Sequence, residues 1–184
     1  MFDTCTSNVG TMENDCFGGR PALLGLPAEL KNAATIPLSP SYNIEDLPRF
    51  EAKTKGNFQF LDSLGVCKFT NPIYPDYLIR EIRAATGWED FTWAEAVETG
   101  LRIVNLLRAF NVLHGIKPDM ESPSPRYGST PSDGPAKGTS IAPVWDKMLD
   151  VFYSEIGWDK ASGRPLPQTL KKLGLEDVSR DLWP

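Results

Sequence analysis

The stretch Asp62-Ser63-Leu64-Gly65-Val66-Cys67-Lys68-Phe69 brings a carboxylate, a turn glycine and a cysteine together at the predicted end of a helix. Gly65 accepts the left-handed conformation of a helix C-cap without penalty, so we expect the helix to end there, with Cys67 in the turn just beyond it. Gly56 lies inside the predicted helix and costs about 1 kcal/mol relative to alanine. The helix is predicted by residues that recur every three or four positions and so share one face: Phe50, Thr54, Phe58, Leu61 and Leu64.

Further helices are predicted on the C-terminal side of this stretch. Residues 76–85 form one, with apolar positions at Tyr77, Ile79 and Ile82. Thr92-Trp93-Ala94-Glu95 is a capping box that begins a long helix, and Gly115 is a suitable end for it. A helix over residues 143–156 and one or two short helices in the tail complete the pattern. The broad apolar face of the long helix contains Ala96, Val97, Leu101, Val104, Leu106, Leu107 and Phe110.

The sequence predicts an all-α fold in one domain spanning residues 1–184. Residues 1–43 lack a hydrophobic period and hold several prolines, so we expect an irregular segment, apart from a short helix over residues 27–32. Helices that carry the motifs follow in residues 44–116, and a Pro/Gly-rich surface loop in residues 117–142. Residues 143–184 hold the C-terminal helices. About five to six helices in orthogonal or bundle-like packing are expected.

Composition excludes several classes of protein. The net charge of −5 argues against nucleic-acid binding, which needs clustered lysine and arginine. The sequence contains no apolar run long enough to span a membrane, and its N-terminal residues lack the pattern of a signal peptide. We therefore expect a cytoplasmic protein. With three cysteines and one histidine, the chain cannot complete a four-thiolate cluster site or a histidine-based metal site alone.

The residue types around Gly65 fit cofactor binding. A carboxylate at Asp62 can accept two parallel hydrogen bonds from a guanidine-like edge, such as the aminopyrimidine ring of a pterin. Gly65 allows the backbone to approach a ligand closely, and the Cys67 thiolate is a natural iron ligand. The alternative is an ordinary helix end, followed by a cysteine that serves as a small buried apolar residue.

The pattern D-x-x-G-[LV]-C over residues 62–67 resembles a cofactor-binding motif of the tungsten-containing aldehyde ferredoxin oxidoreductase family. The run G-L-R-I-V-N-L-L-R-A-F-N over residues 100–111 is similar to a long helix of that family. Further similarities follow in the family's order: Gly157-Trp158-Asp159, Gly163-Arg164-Pro165, and L-x-x-L-G-L over residues 170–175. The resemblance covers nearly the whole chain and identifies it with the C-terminal helical domain of such an enzyme.

The resemblance implies a particular cofactor set. Members bind tungsten, or less often molybdenum, between two pterins beside a [4Fe-4S] cluster, and they commonly oxidise aldehydes to carboxylic acids with ferredoxin as electron acceptor. By this resemblance Asp62 contacts one pterin, with Gly65, Val66 and Lys68 close by, and Cys67 is one cluster ligand. The other three ligands belong to a C-x-x-C-x-x-x-C segment in N-terminal domains that this chain lacks. We therefore expect the isolated chain to be inactive.

One position departs from the family pattern. Thr6-Ser7-Asn8-Val9-Gly10 resembles a T-S-N-x-G segment, after which aldehyde-oxidising members often carry a histidine near the metal. Here the position holds Glu13, which is a candidate for proton transfer if it is buried. The alternative is a solvated acidic residue. The missing histidine puts an aldehyde substrate in doubt and leaves room for another low-potential substrate, such as an aryl thioester.

A second functional class stays open on the sequence alone. A stand-alone helical interaction module without catalysis would keep the helices, and it predicts that the first forty residues pack on the chain's own helices. The enzyme hypothesis instead requires the missing N-terminal domains, in the same polypeptide or in a neighbouring subunit.

Overall fold

A computed structural model of the chain describes residues 2–10, 13, 44–66, 75–134 and 137–184. Over these residues the secondary structure is helical, without strands, and one isolated antiparallel bridge joins Trp158 and Pro165. The predicted all-α class is confirmed. The helices are α1 Phe2–Cys5, α2 Asp46–Thr54, α3 Gly56–Ser63, α4 Pro75–Thr86, α5 Trp93–Leu113, α6 Pro125–Gly128, α7 Trp145–Ile156, α8 Pro167–Lys172 and α9 Glu176–Leu182, with 3-10 turns at Pro118–Met120 and Ala142–Val144.

Helix α5 begins at the predicted capping box. The Thr92 hydroxyl accepts a hydrogen bond from the Glu95 amide at 3.3 Å, and the Glu95 carboxylate accepts one from the Thr92 amide at 2.7 Å. Ala96 and Val104 are buried as expected, whereas Leu106 and Phe110 are 49% and 58% exposed. The predicted apolar face was therefore too broad. Among the described helices, none combines the length and apolar character needed to cross a membrane.

Helices α3 and α5 cross at a pair of glycines. A Cβ atom added to Gly56 would lie 2.6 Å from the Leu101 amide nitrogen, and one added to Gly100 would collide with the Gly56 carbonyl. Both positions therefore require glycine. The helix predicted as continuous up to Gly65 is two helices that meet at Lys55, and Gly56 is a packing contact rather than a weak point.

The N-terminal residues pack against the helical core. The Phe2 ring in α1 lies 5.2 Å from the ring of Trp145 and 5.6 Å from that of Phe152, and Phe2 is 3% exposed. The prediction of an irregular start was wrong for residues 2–5, because the aromatic side chain supplies burial that a periodicity search over four residues cannot detect. The helix predicted over residues 27–32 lies outside the described residues.

The remaining helices largely follow the sequence pattern. On the expected apolar face of α7, Met148, Phe152 and Tyr153 are buried. Helix α4 buries Ile79 and Ile82 but leaves Tyr77 63% exposed, contrary to the prediction. The tail forms two short helices, α8 and α9. The predicted surface loop contains α6 and two 3-10 turns, and it buries Glu121 and Ile141.

Candidate functional site

The turn at the end of α3 has a defined backbone geometry. The Gly65 amide donates a hydrogen bond to the Asp62 carbonyl at 3.0 Å, and the Val66 amide donates one to the Leu61 carbonyl at 3.3 Å. Gly65 has a φ of +69°. This pair of bonds around a left-handed glycine is the Schellman helix ending. The predicted C-cap role of Gly65 agrees with this geometry.

The Asp62 side chain is open to solvent beside this turn. It is exposed, and its carboxylate contacts no donor within the described part of the chain. Apart from its two neighbours in the chain, no described residue has an atom within 4 Å of the position that a Cβ of Gly65 would take. The carboxylate and the turn backbone are therefore accessible together, which fits the donor edge of a pterin ring.

The predicted contacts Lys68 and Cys67 lie outside the described residues. Their proposed roles in pterin contact and cluster binding stay predictions. Over the ranges that the structure describes, no group of three or more His, Cys, Asp or Glu side chains is arranged to hold a metal ion. Cys5 is a free thiol within α1, and burial raises its pKa. A complete iron–sulfur site therefore needs thiolates beyond those described here.

The opposite end of α3 contains a buried ion cluster, which we call the Lys55 cluster and which comprises Asp3, Thr6, Glu13 and Lys55. The Lys55 ammonium lies 3.1 Å from a Glu13 carboxylate oxygen and 3.4 Å from an Asp3 carboxylate oxygen, and its side chain is 0% exposed. Its third neighbour is the Thr6 hydroxyl at 3.5 Å. Two segments distant in sequence are thus joined by charge inside the protein.

The electrostatic balance at Lys55 favours the charged form. Burial acts to lower the pKa of Lys55, but the negative charges of Glu13, Asp3 and Glu51 outweigh it, and the pKa is raised above its ordinary value. A buried lysine with paired carboxylates stays protonated, because neutralising it would leave those carboxylates without a counter-charge. The cluster is therefore a stable ion pair network at neutral pH.

Glu13 is fully engaged within this cluster. One carboxylate oxygen accepts a hydrogen bond from the Asn8 amide at 2.8 Å, the other accepts one from the Asn8 side chain at 3.0 Å, and the residue is 0% exposed. The alternative of a solvated acidic residue is therefore wrong. The proton-transfer role stays a prediction, while the contacts with Asn8 and Lys55 support an anchoring role for the carboxylate.

A second buried cluster ties the proline-rich segment to α5 and α7. The Arg108 guanidinium contacts the Glu121 carboxylate at 2.6 Å and 3.1 Å and donates a hydrogen bond to the Gly163 carbonyl at 2.8 Å. The Tyr153 hydroxyl donates to the same carboxylate. Burial raises the pKa of Tyr153, although the positive charge of Arg108 acts in the opposite direction. Every charged atom here has a protein partner, which indicates a structural role.

The sequence reasoning missed the buried charges of Lys55 and Glu121. A signal for Lys55 was present, because it precedes the apolar Phe58 by three residues, a spacing that places the two side chains on the same side of a helix. Arg108 likewise follows Val104 at a helical spacing of four residues, which places it on the buried side of α5. A charge on an apolar face predicts a buried partner, but the pattern does not identify the partner.

Comparisons with known proteins agree with the motifs. A family model described as aldehyde ferredoxin oxidoreductase, domains 2 & 3, matches residues 14–175. The tungsten-containing aldehyde ferredoxin oxidoreductase of Pyrococcus horikoshii is 35% identical over 120 residues, which are 64% of this chain and 19% of the relative. The corresponding enzyme of Pyrococcus abyssi is 33% identical over the same length and the same shares of the two chains.

A relative whose name gives a different substrate is also similar to this chain. An aliphatic sulfonate oxidoreductase, WOR-like subunit, of Pyrococcus furiosus is 30% identical over 132 residues, which are 67% of this chain and 20% of that protein. The chain thus spans about a fifth of the length of the curated relatives it matches. Because the family match covers most of the chain, we conclude that it belongs to the aldehyde ferredoxin oxidoreductase family and corresponds to the part described there as domains 2 & 3.

Proposed function

We propose that this chain is the helical C-terminal part of a tungsten or molybdenum bis-pterin oxidoreductase with a [4Fe-4S] cluster. Asp62 holds one pterin, the backbone at Gly65, Val66 and Lys68 lines the same ring, and Cys67 supplies one ligand to the cluster. When bound, the metal–pterin centre and the cluster would supply the redox chemistry, with ferredoxin as the electron acceptor. The observation that carries this proposal is the exposed Asp62 carboxylate beside the hydrogen-bonded Gly65 turn, within a sequence that belongs to the family.

The turn geometry supports the role of Asp62. Two backbone hydrogen bonds fix the chain on both sides of its side chain. The carboxylate can therefore meet a donor edge without a further ordering of the backbone. Among the described residues it has no competing partner, so a ligand would not have to displace an existing hydrogen bond.

Exposed apolar side chains on α5 support the proposal that further domains pack against this chain. Leu106, Phe110 and Leu113 lie three or four residues apart, and each is at least 49% exposed. They form one apolar stripe along the helix. We propose that the N-terminal domains of the enzyme cover this stripe, in the same polypeptide or in a neighbouring subunit, and that the isolated chain is catalytically inactive.

The experiment that tests the proposal joins the chain to the remaining domains of a relative such as the Pyrococcus horikoshii enzyme. The assembled enzyme should contain pterin, iron and a brown iron–sulfur chromophore. Cys67→Ser should remove most of the iron while keeping the helical fold, and Asp62→Asn should lower the pterin content.

Cys5→Ser is the matched control for the cluster ligand, because Cys5 is a free thiol in α1. It should leave both the iron content and the chromophore unchanged. An intact cluster in the Cys67→Ser enzyme would refute the ligand assignment, and unchanged pterin in Asp62→Asn would refute the pterin contact.

A separate observation concerns the substrate class. Glu13 takes the position at which aldehyde-oxidising members often carry a histidine, and its carboxylate is held by Asn8 and Lys55. Aldehyde oxidation with ferredoxin as acceptor is the first candidate reaction. The second is reduction of a different low-potential substrate such as an aryl thioester. Turnover of each substrate by the assembled enzyme decides between them.

A non-catalytic helical module is the alternative from another class. The packing of Phe2 on Trp145 and Phe152 favours it to the extent that the first residues use the chain's own core. It predicts that the assembled enzyme binds neither iron nor pterin above the level of the separate domains. Stoichiometric binding of both would exclude it.

A further inference from the structure

Residues 7–10, which we call the Asn8 segment, are held by other parts of the chain at Asn8. The Asn8 backbone amide donates a hydrogen bond to one oxygen of the Glu13 carboxylate at 2.8 Å, and the Asn8 side-chain amide donates one to the other oxygen at 3.0 Å. The Asn8 carbonyl accepts a hydrogen bond from the Asn111 side chain in α5 at 2.9 Å. Beyond these contacts the segment reaches the surface, where Val9 is 48% exposed.

Asn111 lies in the last turn of α5, on the buried side of the helix. It follows Val104 by seven residues and Arg108 by three, and these two residues are 0% and 1% exposed. The Asn111 carbonyl accepts hydrogen bonds from the His114 amide at 3.1 Å and from the Ile116 amide at 3.0 Å. The side chain therefore donates to Asn8 from a helix end whose own backbone is hydrogen-bonded.

The contacts of Asn8 complete a path between the start of α3 and the end of α5. The Lys55 ammonium lies 3.1 Å from the Glu13 carboxylate, which accepts the hydrogen bonds of Asn8. Asn111 then donates to Asn8 across 103 residues of sequence. Because Asn8 is bonded at both its amide and its carbonyl, the backbone is restrained on both sides of its Cα atom.

We propose that Asn111 is a positioning residue, which fixes the Asn8 segment between α5 and the Lys55 cluster and so sets where Val9 and Gly10 lie in the assembled enzyme. This inference rests on the proposed function, in which Glu13 takes the position of a histidine near the metal. A segment that is held from two sides before the substrate arrives does not have to be ordered when the substrate binds. Asn111 acts through Asn8 and does not itself contact the substrate.

The first test measures hydrogen exchange by NMR in the 184-residue chain. Asn111→Leu and Asn111→Asp both remove the donor, and Asn111→Asp keeps the shape of the side chain. Loss of one hydrogen bond should make the Asn8 amide exchange roughly five- to tenfold faster, while the Phe152 amide in α7 should change by less than about twofold. Unchanged exchange at Asn8, or an equal increase at Phe152, would overturn the proposal.

Asn105→Leu is the matched control, with the same residue type replaced on the same helix. The Asn105 side-chain oxygen accepts a hydrogen bond from the buried Trp158 indole at 2.9 Å, and Asn105 is 1% exposed. Its loss should destabilise the core, so exchange at Phe152 should rise at least as much as exchange at Asn8. The same local pattern as in the Asn111 variants would contradict the assignment of Asn8 to Asn111.

The second test measures turnover in the assembled enzyme, with benzaldehyde and with a benzoyl thioester as substrates. In Asn111→Asp the kcat per bound pterin should fall roughly tenfold for the substrate that the unmodified enzyme converts, while the iron and pterin contents stay the same. A role in stability alone would lower the cofactor content and leave the kcat per pterin unchanged, and that result would overturn the proposal. If the unmodified enzyme binds no cofactor or converts neither substrate, the proposed function fails, and the exchange measurements still decide the role of Asn111.

Discussion

The two ends of α3 carry carboxylates in opposite states. At the N-terminal end, Glu13 and Asp3 are buried, and each lies within 3.4 Å of the Lys55 ammonium. At the C-terminal end, Asp62 is exposed and has no donor among the described residues. The helix between them is 8 residues long, so it spans about 12 Å.

This difference separates residues that hold the fold from residues that are available to a ligand. A carboxylate whose oxygens are all engaged cannot bind something new without breaking an existing contact. An exposed carboxylate beside a hydrogen-bonded turn, with no partner among the described residues, contributes little to stability and is accessible to a ligand. Substitutions at the two ends should therefore separate stability from cofactor content.

Replacement of Lys55 should have the largest effect. Lys55→Met leaves the Glu13 and Asp3 carboxylates buried without a counter-charge, so we expect the free energy of unfolding to fall by about 3–5 kcal/mol. Urea denaturation followed by circular dichroism measures the change. Lys53→Met is the control, because Lys53 is exposed two residues earlier on the preceding helix, and it should change stability by less than about 0.5 kcal/mol.

Addition of one methyl group at the α3–α5 crossing should have the next largest effect. Gly100→Ala places a Cβ against the Gly56 carbonyl, so the helices must separate, and we expect a loss of about 1–3 kcal/mol in the free energy of unfolding. Gly128→Ala is the matched control, since its Cβ would have only ordinary contacts, the nearest at 3.6 Å. Equal thermal midpoints for the two variants would show that the crossing can relax.

Alkaline pH should gradually reduce the stability that the Lys55 cluster contributes to the fold. Because the folded-state pKa of Lys55 is raised, its contribution is fully present below the unfolded pKa of about 10.4 and is lost as pH rises through the folded value. The raised pKa of Tyr153 acts in the same direction. Urea midpoints should therefore fall above about pH 10, and the fall should be shallower in Lys55→Met. An identical slope in that variant would assign the whole effect to Tyr153 and other groups.

Replacement at the open end should have the smallest effect on stability. Asp62→Asn removes an exposed charge without a described partner, so the free energy of unfolding should change by less than about 0.5 kcal/mol. The same substitution should lower the pterin content of the assembled enzyme. A loss of stability comparable with that of Lys55→Met would contradict the comparison between the two ends.

Much of the fold follows from local sequence patterns. The capping box at Thr92, the left-handed glycine at Gly65 and the apolar spacing in α7 each act within a few residues, so a sequence is enough to predict them. The exposed Leu106 and Phe110 were predicted wrongly, because periodicity identifies an apolar face but not whether another element covers it.

The missed features depend on contacts between distant residues. The Lys55–Glu13 and Arg108–Glu121 pairs join separate segments, and a single sequence does not specify which charges meet. The crossing of Gly56 and Gly100 is another example, since each glycine alone has the pattern of a weak helix position. For the candidate site, the turn at Gly65 was predictable from spacing, whereas the burial of Glu13 is known only from the structure.

The contacts of Glu121 also bear on where the connection between α5 and α7 can differ in length among members of the family. Its carboxylate binds Arg108 in α5, and its carbonyl accepts a hydrogen bond from the Trp145 indole in α7 at 2.7 Å. Glu121 therefore attaches the connection between α5 and α7 to both helices. Residues 114–120 then form a short span between α5 and this attachment, whereas residues 129–134 are mostly exposed. Insertions and deletions among homologues should therefore accumulate after Ser129 and be rare before Glu121.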